Sequence, residues 1–78
     1  MRRVEEVFLF VEIDADGSEG IVGMGVMGGN LVLPMVTTSR STASEMRIYA
    51  QQHAKSANVT VELRCFGGPS KVLQVFRP

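Results

Sequence analysis

Five segments of the chain show the apolar-rich or alternating patterns that are typical of β-strands. They span residues 4–13, 19–27, 31–36, 59–66 and 71–77. In the first segment, one set of alternate positions is wholly apolar and is predicted to face the core: Val7, Leu9, Val11 and Ile13. The other set mixes acids with aromatic residues, so its middle is expected to be covered by this chain or by a neighbouring one: Glu6, Phe8, Phe10 and Glu12.

A single helical pattern lies between the third and fourth strand segments. Alanine and methionine share one stripe of this helix, which favours close packing on a sheet: Ala43, Met46, Ala50, Ala54 and Ala57. Thr42 and Glu45 fit a capping box, in which two side chains reciprocally satisfy free backbone N–H groups, so the helix is predicted to begin near Ala43. Asn58 is expected to end it in a left-handed conformation.

Turn-forming residues separate the strands. Asp16-Gly17 is a strong hairpin signal after the first strand, and turns are also predicted at residues 28–30 and 67–70. Pro34 is expected at a strand end or on an edge, because it cannot donate to a strand ladder. The order β-β-β-α-β-β predicts one α+β domain over residues 1–78, with a small antiparallel sheet of about five strands and one helix packed on one face.

The composition restricts the kinds of function that the chain supports. Hydrophobic residues make up 45% of it, which argues against disorder, and Cys65 is the only cysteine, which excludes an internal disulfide and disfavours a structural zinc site. Eight basic and eight acidic residues are dispersed, so no concentrated positive field favours a nucleic-acid polymer. The longest apolar run, Val7–Val11, is far shorter than the roughly 20 residues of a spanning helix. We therefore expect a cytoplasmic protein with no metal, cofactor or membrane partner.

Self-association is expected from the length and the apolar content. A domain of this size is marginally stable alone and often depends on oligomerisation. Several large apolar side chains are expected to be difficult to bury within one copy: Phe8, Phe10, Ile48, Phe66 and Phe76. A contiguous patch of exposed hydrophobic side chains marks an interface, so a homo-oligomer is predicted.

The stretch 37–42, Thr-Thr-Ser-Arg-Ser-Thr, is the strongest candidate for ligand binding. Hydroxyl groups flank a guanidinium just ahead of the predicted helix, where free N–H groups and the helix dipole favour an anion. Capping explains Thr42, which leaves four residues predicted to bind a phosphate: Thr38, Ser39, Arg40 and Ser41. In the alternative interpretation the stretch is a solvated loop whose only task is to cap the helix.

This loop is expected to supply only part of a composite site near a subunit boundary. Arg64 is a candidate for a second charge and Tyr49 for a stacking surface. Met24, within the glycine-rich segment 20–30, is a candidate for an adaptable apolar contact.

Two other patterns do not indicate chemistry. Gly23, Gly25 and Gly28 match the G-x-G-x-x-G spacing of a dinucleotide-binding loop, but a turn and a strand follow where a helix is required. His53 and Cys65 lack the surrounding signature of a nucleophile and its base. Cys65 alternates in phase with apolar residues and is predicted to be a small core residue.

In outline the chain resembles the compact phage proteins that act as nucleotide sponges. The resemblance rests on the small size, the hairpin LFVEIDADGSEGIVGM, the strand LVLPMV that leads into a polar helix entrance, and the expected oligomer. Sponges of this kind sequester immune signals such as cyclic ADP-ribose variants or cyclic oligonucleotides made by bacterial defence systems. The resemblance implies a non-enzymatic anti-defence protein of the host-cell cytoplasm that holds a phosphorylated or nucleotide-like signalling molecule. It assigns no binding residues.

The alternative, from a different class, is a protein-interaction or assembly module, such as a small phage structural or inhibitory subunit. In that case the exposed apolar residues form the functional surface and residues 37–42 are only a capped loop. An enzyme would require a composite site between subunits, and the chain shows no acid–base or metal constellation that favours one.

Overall fold

The computed structural model describes residues 4–26, 31–67 and 70–78, which form one helix and two antiparallel sheets. The elements are β1 (Val7–Ile13), β2 (Glu19–Ile21), β3 (Gly23–Val26), β4 (Leu31–Pro34), β5 (Val36–Thr37), α1 (Arg40–Ala57), β6 (Thr60–Phe66) and β7 (Lys71–Phe76). The predicted α+β class, with one helix on a mostly antiparallel sheet, is confirmed. The second and third predicted strands are each divided in two, and the predicted turn at 28–30 lies outside the described residues.

The larger sheet has five strands and is organised around β1. Its order is β2-β1-β6-β7, and β5 also pairs with β1. β6 pairs with the whole length of β1, so β2 and β5 share the other edge, β2 opposite Val11–Ile13 and β5 opposite Phe8 and Leu9. Between β2 and β5 the chain leaves this edge to form the separate hairpin β3–β4.

Three backbone hydrogen bonds close the base of this hairpin. Val22 N–H donates to the Phe10 carbonyl at 2.8 Å, Met35 N–H donates to the Val22 carbonyl at 2.8 Å, and Phe10 N–H donates to the Met35 carbonyl at 3.1 Å. The Val22 and Met35 side chains are buried, whereas Val32 and Leu33, within the hairpin, are exposed. An isolated two-stranded hairpin is marginal in water, and this closed base, together with the packing of Met24 against the core, attaches the hairpin to the domain.

The face of β1 that packs against α1 is the aromatic one, so the prediction that Val7, Leu9, Val11 and Ile13 form the core face is wrong. Phe8 and Phe10 are 1% and 0% exposed, opposite Cys65 and Leu63 of β6. The physical reason is volume. α1 presents small side chains to the sheet at Ala43, Ala50 and Ala54, and large rings on the strands fill the space that they leave.

Most of the aromatic residues expected to be difficult to bury are therefore inside the domain. Phe76 of β7 is also buried, with its ring centroid 6.2 Å from that of Phe10. Phe66 and Ile48 remain exposed. The prediction that Cys65 is a core residue is confirmed, since it is 1% exposed.

Helix α1 begins earlier than predicted, with Ser39 rather than Thr42 as its N-cap. Ser39 has an extended backbone (φ −99°, ψ 121°), and its Oγ accepts a hydrogen bond from Thr42 N–H at 3.2 Å. Thr37 Oγ1 accepts from Ser39 N–H at 3.0 Å, which fixes the turn into the helix before Thr42 is reached. The prediction for the other end is confirmed: Asn58 is left-handed (φ 54°, ψ 49°) and its N–H donates to the Ala54 carbonyl.

Replacing Ser39 with alanine is expected to lower the free energy of unfolding by about 1 kcal/mol, because the Thr42 N–H loses its acceptor. Thr42→Ala is the matched control and is expected to change that free energy by less than about 0.5 kcal/mol. Urea denaturation followed by circular dichroism measures both. An equal loss in the two variants would contradict the assignment of Ser39 as the cap.

Candidate functional site

A cleft of about 180 Å³ lies between the first half of α1 and the strands β6 and β7. We call it the two-arginine cleft. Its floor is formed by three buried side chains, Phe8, Ala43 and Leu63. Its rim is formed by exposed residues of α1 and β7: Arg40, Ser44, Arg47, Leu73 and Gln74.

Two local features of the backbone create this cleft. Arg40, Ala43, Ser44 and Arg47 follow one another at helical spacing, so they occupy the same side of α1. Leu63 pairs with Gln74 and Arg64 pairs with Val72, so Leu73 is the extra residue of a β-bulge. The bulge brings Leu73 to the rim of the cleft, opposite the helix.

Arg40 is held by one aromatic and one acidic neighbour. Its guanidinium carbon lies 5.2 Å from the centroid of the Phe8 ring, a cation–π arrangement. Its Nη2 donates to the Glu6 carboxylate at 3.1 Å and 3.4 Å, but both side chains are largely exposed, so this ion pair contributes little to stability. Its position in the helix is unusual because the helix dipole disfavours a cation in the first turn, and that turn has no acidic residue.

Arg47 is oriented by the helix itself and by the sheet. Its Nε donates to the Ser44 carbonyl at 3.1 Å and its Nη2 donates to Ser44 Oγ at 3.0 Å. Its Nη1 donates to Gln74 Oε1 at 3.5 Å, across the cleft. The two guanidinium groups therefore flank one apolar floor. Among the described residues, each guanidinium has N–H groups that do not donate to another residue.

Of the residues predicted to bind a ligand, Arg40 lines the two-arginine cleft and the other members of its loop lie at the start of the helix. Ser39 is occupied as the N-cap, and its Oγ lies 3.1 Å from Ser41 Oγ. Thr38 and Ser41 are exposed beside it.

The remaining three predicted residues are not brought to this cleft. Arg64 lies on the opposite face of the sheet, where it lines a second depression of about 290 Å³. Tyr49 is exposed on α1, and Met24 lies on β3, partly buried against the core. Neither Tyr49 nor Met24 contributes to the two-arginine cleft.

The Arg64 guanidinium is already engaged by carboxylates of its own chain. Nη1 and Nη2 donate to the two Glu19 oxygens at 3.0 Å and 2.8 Å, and Nε donates to Glu62 Oε1 at 2.8 Å. The hydrogen bonds that Arg64 donates to Glu19, and then to Glu62, raise the pKa of Arg64, and the hydrogen bond that Glu19 accepts from Arg64 lowers the pKa of Glu19. Arg64 is thus part of an ion network within the chain, and whether it also binds a ligand stays a prediction.

Arg47, Ser44 and Gln74 were not predicted from the sequence. The spacing of seven between Arg40 and Arg47 was a usable signal, because it places both side chains on one side of a helix. The predicted helix start near Ala43 leaves Arg40 outside the helix, so the prediction does not include this spacing. Gln74 reaches the cleft through the bulge, which has no comparable sequence signal.

His53 and Cys65, the histidine and the cysteine of the chain, each contact a carboxylate. His53 Nε2 lies 3.3 Å from Glu12 Oε1, and both side chains are about 30% exposed. Burial, followed by the hydrogen bond to the Glu6 carboxylate, raises the pKa of the Cys65 thiol, which lowers its reactivity. Among the described residues, no group of three His, Cys, Asp or Glu side chains is placed to hold a metal ion.

Comparison of the chain with models of protein families, with curated proteins and with solved structures gives no match. Within the described ranges, the single helix lacks the combination of length and apolar character that a membrane span requires. The function is therefore inferred from the two-arginine cleft and from the exposed surfaces of the domain.

Proposed function

We propose that the protein is a non-enzymatic binder of a small phosphorylated or nucleotide-like molecule, with the phosphate held in the two-arginine cleft. The observation that carries this proposal is the pair Arg40 and Arg47, whose guanidinium groups flank an apolar floor. Sequestration of a signalling molecule, as the resemblance to nucleotide sponges implies, is the specific form of binding that we propose.

The electrostatics of the cleft favour an anion. In the described part of the chain, Arg40 donates only through Nη2, so Nε and Nη1 are available for a second acceptor. Guanidinium groups bind phosphate oxygens in bidentate geometry, and such charge-assisted bonds are about twice as strong as neutral ones. The N-terminal end of α1 adds its positive partial charge to the two arginines.

The size of the cleft limits what it encloses. About 180 Å³ is below the roughly 300–1,000 Å³ of a pocket that encloses a drug-sized ligand. We therefore infer that the cleft takes a phosphoryl group and a small part of the attached molecule, which lies against Phe8 and Leu63. The rest of a nucleotide would extend over the exposed rim at Leu73 and Gln74.

The chemistry of the lining favours retention of a ligand over its conversion. The lining residues contribute guanidinium, hydroxyl and amide groups, which bind and orient. Proton transfer at pH 7 uses carboxylate, imidazole or thiol groups, and the carboxylate that contacts the rim, Glu6, is paired with Arg40.

A thermal-shift screen tests this proposal. Inorganic phosphate, nucleotides and cyclic dinucleotides are added to the folded protein, and a ligand at a hundred times its Kd is expected to stabilise it by about 2.7 kcal/mol. Arg40→Ala and Arg47→Ala are expected to abolish the response. Arg77→Ala, which removes an exposed guanidinium outside the cleft, is the matched control and should respond like the parent protein.

Two outcomes would contradict the proposal. One is a well-folded sample that gives no shift with any phosphorylated compound. The other is a shift that survives in both arginine variants, which would place the ligand elsewhere on the chain.

A second candidate function, a protein-interaction or assembly module, is favoured by a different observation. The face of the larger sheet opposite α1 exposes Ile21 and Val72, each 49% exposed, together with Phe66 and Val75. In a protein with this function alone, phosphorylated compounds would leave the melting temperature unchanged.

A further inference from the structure

The face of the larger sheet opposite α1, here called the outer face, is predominantly apolar. The strand registers place five exposed apolar side chains on it, each between 37% and 49% exposed: Ile21, Val36, Phe66, Val72 and Val75. They surround the side chains of β1 that were predicted from the sequence to form the core face, of which Val11 is buried and Val7, Leu9 and Ile13 are half-buried. The alternation of apolar residues in β1 therefore indicates an apolar surface, but this surface is the outer face, and α1 packs on the opposite face of the sheet.

The pattern of β1 is that of a strand covered on both faces. An antiparallel sheet with one face in water normally carries polar side chains on that face. Here every residue from Val7 to Val11 is apolar, so both sets of alternate positions avoid water. Within the described residues, α1 packs on one face of the sheet and the apolar side chains of the other face remain exposed.

The charges on the outer face favour an apolar occupant over a charged one. Arg64 pairs with both Glu62 and Glu19, so the three groups together carry one net negative charge. Arg64 and Glu62, which are only 21% and 20% exposed, compensate each other, and Glu19, on the edge strand β2, is 50% exposed and carries the remaining charge. Covering Arg64 and Glu62 would therefore bury a paired charge and not an isolated one, which is the usual obstacle to burying ionic groups.

The area of the outer face is close to the minimum that a specific dimer interface requires. The sheet is four strands wide at its broadest and its longest strands have 7 residues, so the face measures roughly 19 by 24 Å. Two such faces would bury on the order of 1,000 Å², about the lower limit for a specific interface. The five exposed side chains contribute on the order of 400 Å² per copy, within the roughly 300–600 Å² of the largest apolar patch on a typical monomer, which is often functional.

We propose that the outer face is the interface of a homodimer in which two copies pack sheet against sheet. An identical face matches this one in apolar character and in area, its central ion pair is already formed within the chain, and a two-fold axis makes the contact self-complementary. Packed sheets of this kind lie about 10 Å apart with their strands within about 30° of each other. The two-arginine cleft is on the other side of the sheet, so the dimer does not depend on the proposed ligand.

Light scattering and sedimentation equilibrium test the dimer. The protein is expected to have twice the chain mass of 8.5 kDa at micromolar concentration. Val75→Asp and, independently, Val72→Lys are expected to raise the dimer dissociation constant at least about ten-fold, because each buries an unpaired charge. Ile48→Asp, on the exposed side of α1, is the control and should leave the dimer intact.

A second measurement keeps the proposal testable if either variant fails to fold. In a mixture of ¹³C-labelled and unlabelled protein, isotope-filtered NOEs between chains are expected at the methyl groups of Ile21, Val72 and Val75. A monomeric parent protein, a larger oligomer, or intermolecular NOEs at Ile48 or Val32 would overturn the proposed interface. Dimers of unchanged affinity in folded Val75→Asp and Val72→Lys would do the same.

Discussion

Replacing Phe10 with alanine is expected to lower the free energy of unfolding by about 3–5 kcal/mol. The side chain is fully buried, it packs against Phe76 at a centroid distance of 6.2 Å, and its backbone takes part in the hydrogen bonds at the base of the hairpin. The buried side chains of α1 are alanines, which are too short to fill the cavity that the missing ring would leave. Because a 78-residue domain has a total stability of about 4–12 kcal/mol, the variant is expected to be close to unfolding at room temperature.

Tyr49→Ala is the matched control for this prediction, since it also removes an aromatic ring but from an exposed position on α1. It is expected to change stability by less than about 1 kcal/mol, because surface substitutions have small effects. Urea denaturation of both variants measures the difference. Similar losses in the two would contradict a core built on the aromatic face of β1.

Replacing Gly67 with alanine is expected to lower the free energy of unfolding by about 2–4 kcal/mol. Gly67 follows β6 with φ +150°, which side-chain-bearing residues rarely adopt. A Cβ atom there would also collide with the Glu5 carbonyl oxygen and lie 2.9 Å from the Glu6 Cα, and backbone atoms cannot move aside as a side-chain end can. The segment that precedes β1 would therefore be displaced.

Gly20→Ala is the control for the glycine substitution. Gly20 lies in β2, and a Cβ atom there meets nothing within 4 Å. Alanine at this position is expected to be neutral or slightly stabilising, because it reduces the freedom of the unfolded chain. Thermal melts of Gly67→Ala and Gly20→Ala compare the two substitutions. Equal melting temperatures would contradict the close approach of the Glu5 backbone to Gly67.

Much of the fold follows from local signals in the sequence. Alternation in Val59–Phe66 predicts β6 and the burial of Cys65, and Asn58 predicts the end of α1. The core face of β1 could not be chosen in this way because every residue from Val7 to Val11 is apolar, so both sets of alternate positions contain large apolar side chains. The choice depends on the alanines of α1, and so on a tertiary fit of small side chains to large ones.

The candidate site was predictable only in part, for similar reasons. Arg40 is predicted from the hydroxyl groups around it. Predicting Arg47 requires knowing where the helix begins, and that start is fixed by the Ser39 cap and by the hydrogen bond that Thr37 Oγ1 accepts from Ser39 N–H. Gln74 reaches the cleft because of the bulge at Leu73, which is a property of strand pairing. Whether residues 38–41 bind a ligand stays a prediction.

The measurement that tests the proposed function most directly is an NMR titration of the ¹⁵N-labelled protein with the phosphorylated compound that gives the largest thermal shift, or with inorganic phosphate. We predict saturable shift changes at the Nε–H groups of Arg40 and Arg47 and at the backbone amides of Ser44 and Gln74. The Arg64 Nε–H on the outer face should remain unchanged. Changes concentrated at Arg64 and Lys71, or no saturable change at all, would contradict binding in the two-arginine cleft.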